Sequence, residues 1–271
     1  MHAVPLEHLQ VETHEVESII LKRSVKLTCY QPITAVLPAE MSLLLVNDGQ
    51  DLVTMGFEHM LEQLFATGQL EPVLVVGIHC STDRKNEYGT ARVLDYKGRG
   101  AKANKYQRFV FGDLLPFLRE TFQTTHFRDK AMVGFSLGGL SAIDLAWQHP
   151  HEFRTVGVFS GSFWWRDRDQ DDPDFNEQTD RIMHRLIREG SYYPWMRFFF
   201  QTGALDEVAD RNNNGIIDAI DDTLALIDEL KAKGYTNDQV EYLELADGKH
   251  DVPTWARAFP AFLKWGWGKR V

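Results

Sequence analysis

The run Ala131-Met132-Val133-Gly134-Phe135-Ser136-Leu137-Gly138-Gly139-Leu140-Ser141 decides how this chain is read. Its first half is a short apolar stretch with the character of a buried strand, Ala131–Phe135. Its second half opens a segment of helical spacing, Leu137–Gln148. Between them lies G-x-S-x-G, which is informative only in a strand–turn–helix setting such as this one. The requirement is steric: a turn this tight strains the serine backbone and exposes its hydroxyl. Side chains two residues to either side would collide, so glycine is needed there. The following helix aims its N-terminus, with its partial positive charge, at any oxyanion formed nearby.

Outward from this run the same alternation repeats. Apolar runs that read as strands are Leu43–Val46, Val73–His79, Thr155–Ser160, Arg197–Thr202 and Gln239–Leu245. Helical spacing covers Phe57–Thr67, Asn104–Thr121, Asp180–Glu189, Asp218–Lys233 and Thr254–Trp265. Parallel strands need such crossovers, and continuously apolar strands imply that both sheet faces are covered. A mostly parallel, three-layer α/β domain follows. Before it, Val16–Leu21 and Val25–Tyr30 read as a hairpin around Lys22-Arg23-Ser24. With no repeat, low-complexity tract or Pro/Gly-rich linker, residues 1–271 read as a single domain, residues 1–40 being a hairpin extension of its sheet.

The 271 residues carry 29 Lys+Arg against 39 Asp+Glu, a net charge of −10. That field repels phosphate backbones and argues against nucleic acid as a partner. Apolar runs fall far short of the ~20 residues of a membrane span. The first residues lack a basic region followed by an apolar core, so a cytoplasmic location is the expectation. Cys29 and Cys80 are too few for a disulfide framework and read as buried free thiols. Oligomeric state stays open, a homo-oligomer included.

In an open α/β sheet, ligands bind beyond the carboxyl ends of the strands. A serine there needs a base to take its proton. His2, His8 and His14 precede the sheet, His59 and His184 fall in helices, and His149 and His151 flank Pro150. His79 ends a strand but precedes the serine. His250 follows the last strand in a polar loop, where the last member of the order Ser, Asp/Glu, His belongs. Asp206 follows the strand Arg197–Thr202 and is the expected acid, with Glu207 as its neighbouring rival. The oxyanion donors are expected to be the N–H groups of Leu137 and, in the loop Asn47-Asp48-Gly49-Gln50-Asp51, of Gln50; Asp48 is read as bracing that turn. Trp164, Trp165, Tyr88 and Arg92 lie beyond strand ends and are candidate substrate contacts, packing or a solvated loop being their bland alternative.

These residues resemble the putative-esterase family of α/β-hydrolases, in its enterochelin-esterase-like branch. The resemblance rests on Leu44-Leu45-Val46-Asn47-Asp48-Gly49-Gln50, on Lys105, Tyr106 and Phe109 leading to Leu114–Phe117, on Gly134–Ser141 with Phe159–Trp165, and on Gly248-Lys249-His250 with Trp255. It implies an α/β-hydrolase fold with helices on both faces of a mostly parallel sheet. It also implies a Ser–His–Asp triad, which carries over to Ser136, His250 and Asp206, acting on small-molecule carboxylic esters without an organic cofactor. Siderophore lactone hydrolysis and acyl transfer use the same triad and are the alternatives. Many siderophore esterases carry an extra N-terminal domain, whereas only about forty residues precede the first core strand here.

One motif lies outside that resemblance. Asp210, Asn212, Asn214, Asp218 and Asp221 stand at positions 1, 3, 5, 9 and 12 of an EF-hand-type calcium loop, with Gly215 at the sharp turn and the Ile216 carbonyl at position 7. Position 12 is aspartate rather than glutamate and no helix precedes the loop. A structural Ca²⁺ is the expectation; the alternatives are an Asn/Asp-rich turn capping the next helix and, for the chain as a whole, a non-catalytic calcium-binding module.

Overall fold

A computed structural model describes residues 6–269; His2 lies outside them. Strands Leu9–Ser18 (β1), Arg23–Pro32 (β2), Ser42–Asn47 (β3), Val73–Ile78 (β4), Asp129–Phe135 (β5), Thr155–Phe159 (β6), Arg197–Leu205 (β7) and Val240–Lys249 (β8) form one sheet. Its order is β1-β2-β4-β3-β5-β6-β7-β8. The hairpin β1–β2 joins β4 antiparallel, and β4 through β8 pair in parallel. The expected sheet, with its N-terminal hairpin, is therefore the one that forms.

The apolar strands bury alternate residues on two faces. Leu43 and Leu45 face one core while Leu44 and Val46 face the other; Phe198 and Phe200 likewise oppose Phe199. Short helices Asp51–Thr54 (α1) and Phe57–Ala66 (α2) and the C-terminal helix Val252–Trp267 (α10) cover one face. The other is covered from Ala103–Phe109 (α4), Leu115–Thr121 (α5), Leu137–Gln148 (α6), Ile182–Glu189 (α8) and Asp218–Lys233 (α9), while the polar one-turn helices Arg84–Glu87 (α3) and Glu177–Asp180 (α7) lie in the connections. On the α10 side, Phe159 stacks on Phe259 at 5.3 Å and Phe135 on Trp255 at 5.1 Å. No helix among the described residues is long and apolar enough to cross a membrane.

Three boundaries differ from the sequence reading. The hairpin turns at residues 19–22, not at Lys22–Ser24, and β1 runs back to Leu9. The apolar Ile19 is 87% exposed at its tip, while the Ser18 hydroxyl donates to Asp113 Oδ2 at 2.6 Å. The single helix expected over Asn104–Thr121 is interrupted by a π-helical turn at Val110–Leu114. There the Leu115 N–H reaches back five residues to the Val110 carbonyl. Pro116 follows at once; it has no N–H to donate and its ring crowds the carbonyl four residues back, and the wider turn relieves both problems. Strands β7 and β8 run on to Leu205 and Lys249, with a bulge between Gly203 and Leu205. Of the thiols, Cys29 is buried and Cys80 half-buried; burial pushes both up to about 12.

Candidate active site

Ser136 sits between β5 and α6 with φ +54° and ψ −121°, a region L-residues rarely adopt. The glycines around it are there for want of space. A Cβ on Gly134 would lie 2.3 Å from the Gly138 backbone, and one on Gly138 would lie 2.6 Å from Asp48 Oδ2. The Ser136 N–H donates to Phe159 O at 2.8 Å, and its carbonyl accepts from Ser162 N at 3.2 Å, so the turn is sewn to the end of β6. The hydroxyl is only half-buried, with Ser162 Oγ at 3.4 Å.

The loop after β3 packs directly against this turn. Asp48 has φ +58°, and a Cβ on Gly49 would strike Gly77 of β4 at 2.3 Å. Asn47 Nδ2 donates to Gly138 O at 2.8 Å and Tyr106 Oη donates to Asn47 Oδ1 at 2.6 Å. The Gln50 side chain turns away to Cys80, whose N–H donates to Gln50 Oε1 at 3.1 Å. Among the described residues neither the Gln50 nor the Leu137 N–H meets an acceptor, as befits amides at the start of a helix.

A pair not anticipated as such underlies both loops. Arg84 of α3 donates from Nε and Nη2 to the two oxygens of Asp48, at 2.7 and 2.6 Å, and from Nη2 to Phe135 O at 3.3 Å. Burial works against the Arg84 charge, but the Asp48 hydrogen bonds and charge overcome it, and the guanidinium pKa is raised. The expected bracing role of Asp48 is thus visible, and Arg84, in the loop after β4, is a component of the site. No local pattern links residues 48 and 84; only their strands' adjacency does.

Asp206 and His250 each directly follow the last paired residues of adjacent parallel strands, Leu205 of β7 and Lys249 of β8. Both Asp206 carboxylate oxygens are buried with no donor in hydrogen-bond geometry. Burial raises the pKa of this carboxyl, although the Ser160 hydroxyl, the Gly203 backbone and the His250 charge all favour its ionised form. Glu207 lies instead against the Ala219 backbone at the start of α9. The His250 ring meets the Trp255 indole edge-on at 5.4 Å, and Phe135 stacks on the same indole, whose N–H donates to Ser160 Oγ at 3.0 Å. Ser136's neighbour and the imidazole therefore share one aromatic wall. Desolvation lowers the His250 pKa; Asp206 and Asp251 pull it up, and Arg84 pushes it down. No hydrogen bond joins the side chains of Ser136, His250 and Asp206 among the described residues.

Other histidines among the described residues are engaged elsewhere. His79 Nε2 pairs with Thr28 Oγ1 at 2.9 Å, and buried His184 Nε2 donates to Asp222 O at 2.9 Å. Among the candidate substrate contacts, Tyr88 and Trp165 are each 1% exposed, which withdraws them from a bound molecule. Tyr88 Oη accepts from Asp48 N at 3.1 Å, and the Trp165 indole N–H donates to Thr90 Oγ1 at 3.2 Å. Trp164 stays half-buried with Arg99 4.9 Å from its ring, and Arg92 lines a cavity away from Ser136.

The loop from Asp210 to Asp221 folds around its own side-chain oxygens. Asp210 accepts from Asn214 N and Gly215 N at 3.1 and 2.9 Å, Asn212 Oδ1 from Asn214 N at 3.1 Å, and Asn214 Oδ1 from Ile216 N at 2.8 Å. Asn212 Nδ2 donates to Asp221 Oδ2 at 2.8 Å, and Asp218 Oδ1 accepts from Arg211 N at 2.9 Å. Among the described residues no three His, Cys, Asp or Glu side chains are grouped so as to hold a metal ion.

Residues 18–265 match the family model described as Putative esterase. The uncharacterized protein YbbA of Bacillus subtilis (strain 168) is 24% identical over 233 residues, 83% of this chain and 84% of its own. In fold, the chain is similar to the enterobactin esterase FES of Shigella flexneri (TM-score 0.70, 22% identity, 94% of this chain), of whose length it spans 58%. It is also similar to a ferulic acid esterase (TM-score 0.69, 16% identity), with 95% of this chain and 97% of that one aligned.

Replacing Arg84 by Met is expected to leave the Asp48 carboxylate buried and uncompensated, lowering stability by about 3–5 kcal/mol. Urea unfolding checks this; a loss within about 0.5 kcal/mol of zero would mean that the pair carries no structural burden.

Proposed function

The chain belongs to the Putative esterase family, and from that membership we propose that it hydrolyses carboxylic esters with Ser136 as nucleophile, His250 as base and Asp206 as the acid that orients the imidazole. The observation that carries the reading is the pairing of a strained, solvent-reaching Ser136 with a buried, unpartnered Asp206 carboxylate one residue beyond the strand beside His250's. Buried carboxylates are seldom left without donors. The donor missing here is the His250 ring N–H: turning the imidazole toward Asp206 supplies it and leaves the other ring nitrogen to receive the Ser136 proton. Such contacts are commonly loose without substrate and tighten when it binds.

In this mechanism Ser136 Oγ attacks the ester carbonyl as His250 takes its proton. The Leu137 and Gln50 N–H groups, free of other acceptors, bind the oxyanion. The Asp206 charge stabilises the imidazolium, which then protonates the leaving alcohol. Water repeats the cycle to release the acid. The substrate is a small-molecule ester. Half-buried Trp164, two residues beyond Ser162 and with the Asp95-paired guanidinium of Arg99 over its ring, offers an aromatic surface, which suits an aromatic acyl group of the kind in ferulate or enterobactin esters.

We also propose that the loop from Asp210 to Asp221 takes a structural Ca²⁺ that steadies the acid loop, with Asp210, Asn212, Asn214, Asp218 and Asp221 as side-chain ligands and Ile216 giving its carbonyl. The spacing supports this, and so do the side-chain oxygens already turned inward at positions 1, 3 and 5. Binding would require Asp218 to exchange its contact with Arg211 for the ion.

Ser136→Ala is expected to abolish hydrolysis of a short nitrophenyl ester, and a fluorophosphonate to label wild type but not the variant; hydrolysis persisting near the wild-type rate would refute the assignment. Because His250 works unprotonated and its pKa is lowered from 6.5, kcat/KM should hold through neutral pH and fall only below about pH 6.5. Asp206→Asn removes the charge that raises that pKa, so the acid limb should move further down while turnover drops roughly 10⁴-fold. Adding Ca²⁺ at about a hundredfold over Kd should contribute ~2.7 kcal/mol, raising Tm by roughly 5–10 °C. A Tm indifferent to both Ca²⁺ and chelator would dismiss the ion.

A further inference from the structure

A second concave site lies on the helical layer, along the flank of α6 and toward its far end from Ser136. It is a cavity of about 630 Å³, within the ~300–1,000 Å³ typical of small-molecule sites. Gln148, the last residue of α6, lines it, and twelve residues at ~1.5 Å each separate that residue from Ser136 by roughly 18 Å.

Its lining is cationic in a chain of net charge −10. Arg92 and Arg108, both exposed, face it; among the described residues neither side chain makes a hydrogen bond or a salt bridge, and the Arg92 charge favours the ionised form of the Asp144 carboxyl behind the cavity. No carboxylate lines it. Behind it, Asp144 of α6 is fully buried, and its oxygens are occupied by Ala91 N at 2.9 Å, Gln107 Nε2 at 2.7 Å and Gln148 Nε2 at 2.8 Å. The two glutamines that donate to this carboxylate are themselves part of the cavity wall. Their amides therefore stand between the carboxylate oxygens and the cavity, so that whatever enters meets N–H groups and guanidinium rather than the carboxylate itself.

The cavity also has an aromatic side. Phe111 and His149 are paired at 4.3 Å, and both line it. Phe111 belongs to the π-helical turn Val110–Leu114, and such turns occur preferentially at functional sites. In that turn Gly112 lets the hairpin residue Ile20 approach, its absent Cβ lying 3.0 Å from Ile20 Cδ1, which closes the apolar end of the cavity.

We propose that this cavity binds a small organic anion on a planar ring, an aryl carboxylate or aryl phosphate. The two guanidinium groups, neither hydrogen-bonded to a protein acid, take the anionic head through paired N–H···O bonds, and the ring lies against Phe111 and His149. The site is separate from Ser136 and does not depend on the esterase mechanism.

Calorimetric titration of the full chain tests it, with phenyl phosphate and benzoate as probes and with inorganic phosphate and benzyl alcohol as the head and the ring alone. The same titrations on Ser136→Ala exclude turnover as a source of heat. Binding of at least one aryl anion at millimolar concentration or tighter is expected, with each half-probe roughly tenfold weaker or worse. Arg108→Gln, which removes a side chain without partners, should weaken the aryl anion severalfold. Arg92→Gln combined with Arg108→Gln should weaken it about tenfold or more, at an unchanged melting temperature. No binding of either aryl anion, affinity unaltered in both variants, or inorganic phosphate binding as tightly as phenyl phosphate would each overturn the proposal.

Discussion

The tight contact between β5 and the first turn of α6 is the constraint on which the rest of the site depends. Gly134 and Gly138 approach so closely that a single added carbon would overlap the opposing backbone, and on the other flank of Gly138 the Asp48 carboxylate is just as near. Ser136 is held in a backbone conformation it would not choose, because relaxing it would push α6 off the sheet. Everything nearby is arranged to keep that turn closed: hydrogen bonds from the end of β6, the Asn47 side chain on Gly138, and a guanidinium reaching both Asp48 and the Phe135 carbonyl.

Charge is distributed unevenly across the site. On the β3 side the buried carboxylate of Asp48 is fully matched by Arg84. On the β7 side the buried carboxylate of Asp206 has no matching cation and no donor in hydrogen-bond geometry. The first arrangement is structural in character: two charges neutralise each other in a fixed fork geometry. The second leaves a carboxyl whose pKa is raised by burial facing an imidazole whose pKa is lowered by burial. Each favours the other's charged form, so the pair gains most when the imidazole is protonated.

Much of this was legible along the chain. The helices Leu137–Gln148 and Asp218–Lys233 have the boundaries their spacing predicts, and the six core strands begin within two residues of expectation. The hairpin was harder because Ile19, Ile20 and Leu21 look like strand, whereas they form a turn in which Ile20 meets the π-helical segment and Ile19 stays exposed. That segment was itself hidden, since a helix that widens by one residue keeps its apolar face. Tyr88 and Trp165 look like site aromatics by position, but burial made them packing.

By itself, the sequence determined the alternation of strands and helices and the glycines without which Ser136 could not turn. It also determined the residue types available at each strand end. These are local properties, governed by hydrophobic period and steric demand over a few neighbouring residues. Only the tertiary structure decided which strand ends became neighbours, and therefore that Arg84 pairs with Asp48, that Trp255 is shared by Phe135 and His250, and that Arg92 faces a separate cavity. Apart from His250 and Trp255, which are close in sequence, such pairings join residues tens to more than a hundred positions apart, and the order in which strands enter a sheet is set by the packing of the whole chain rather than by any segment of it.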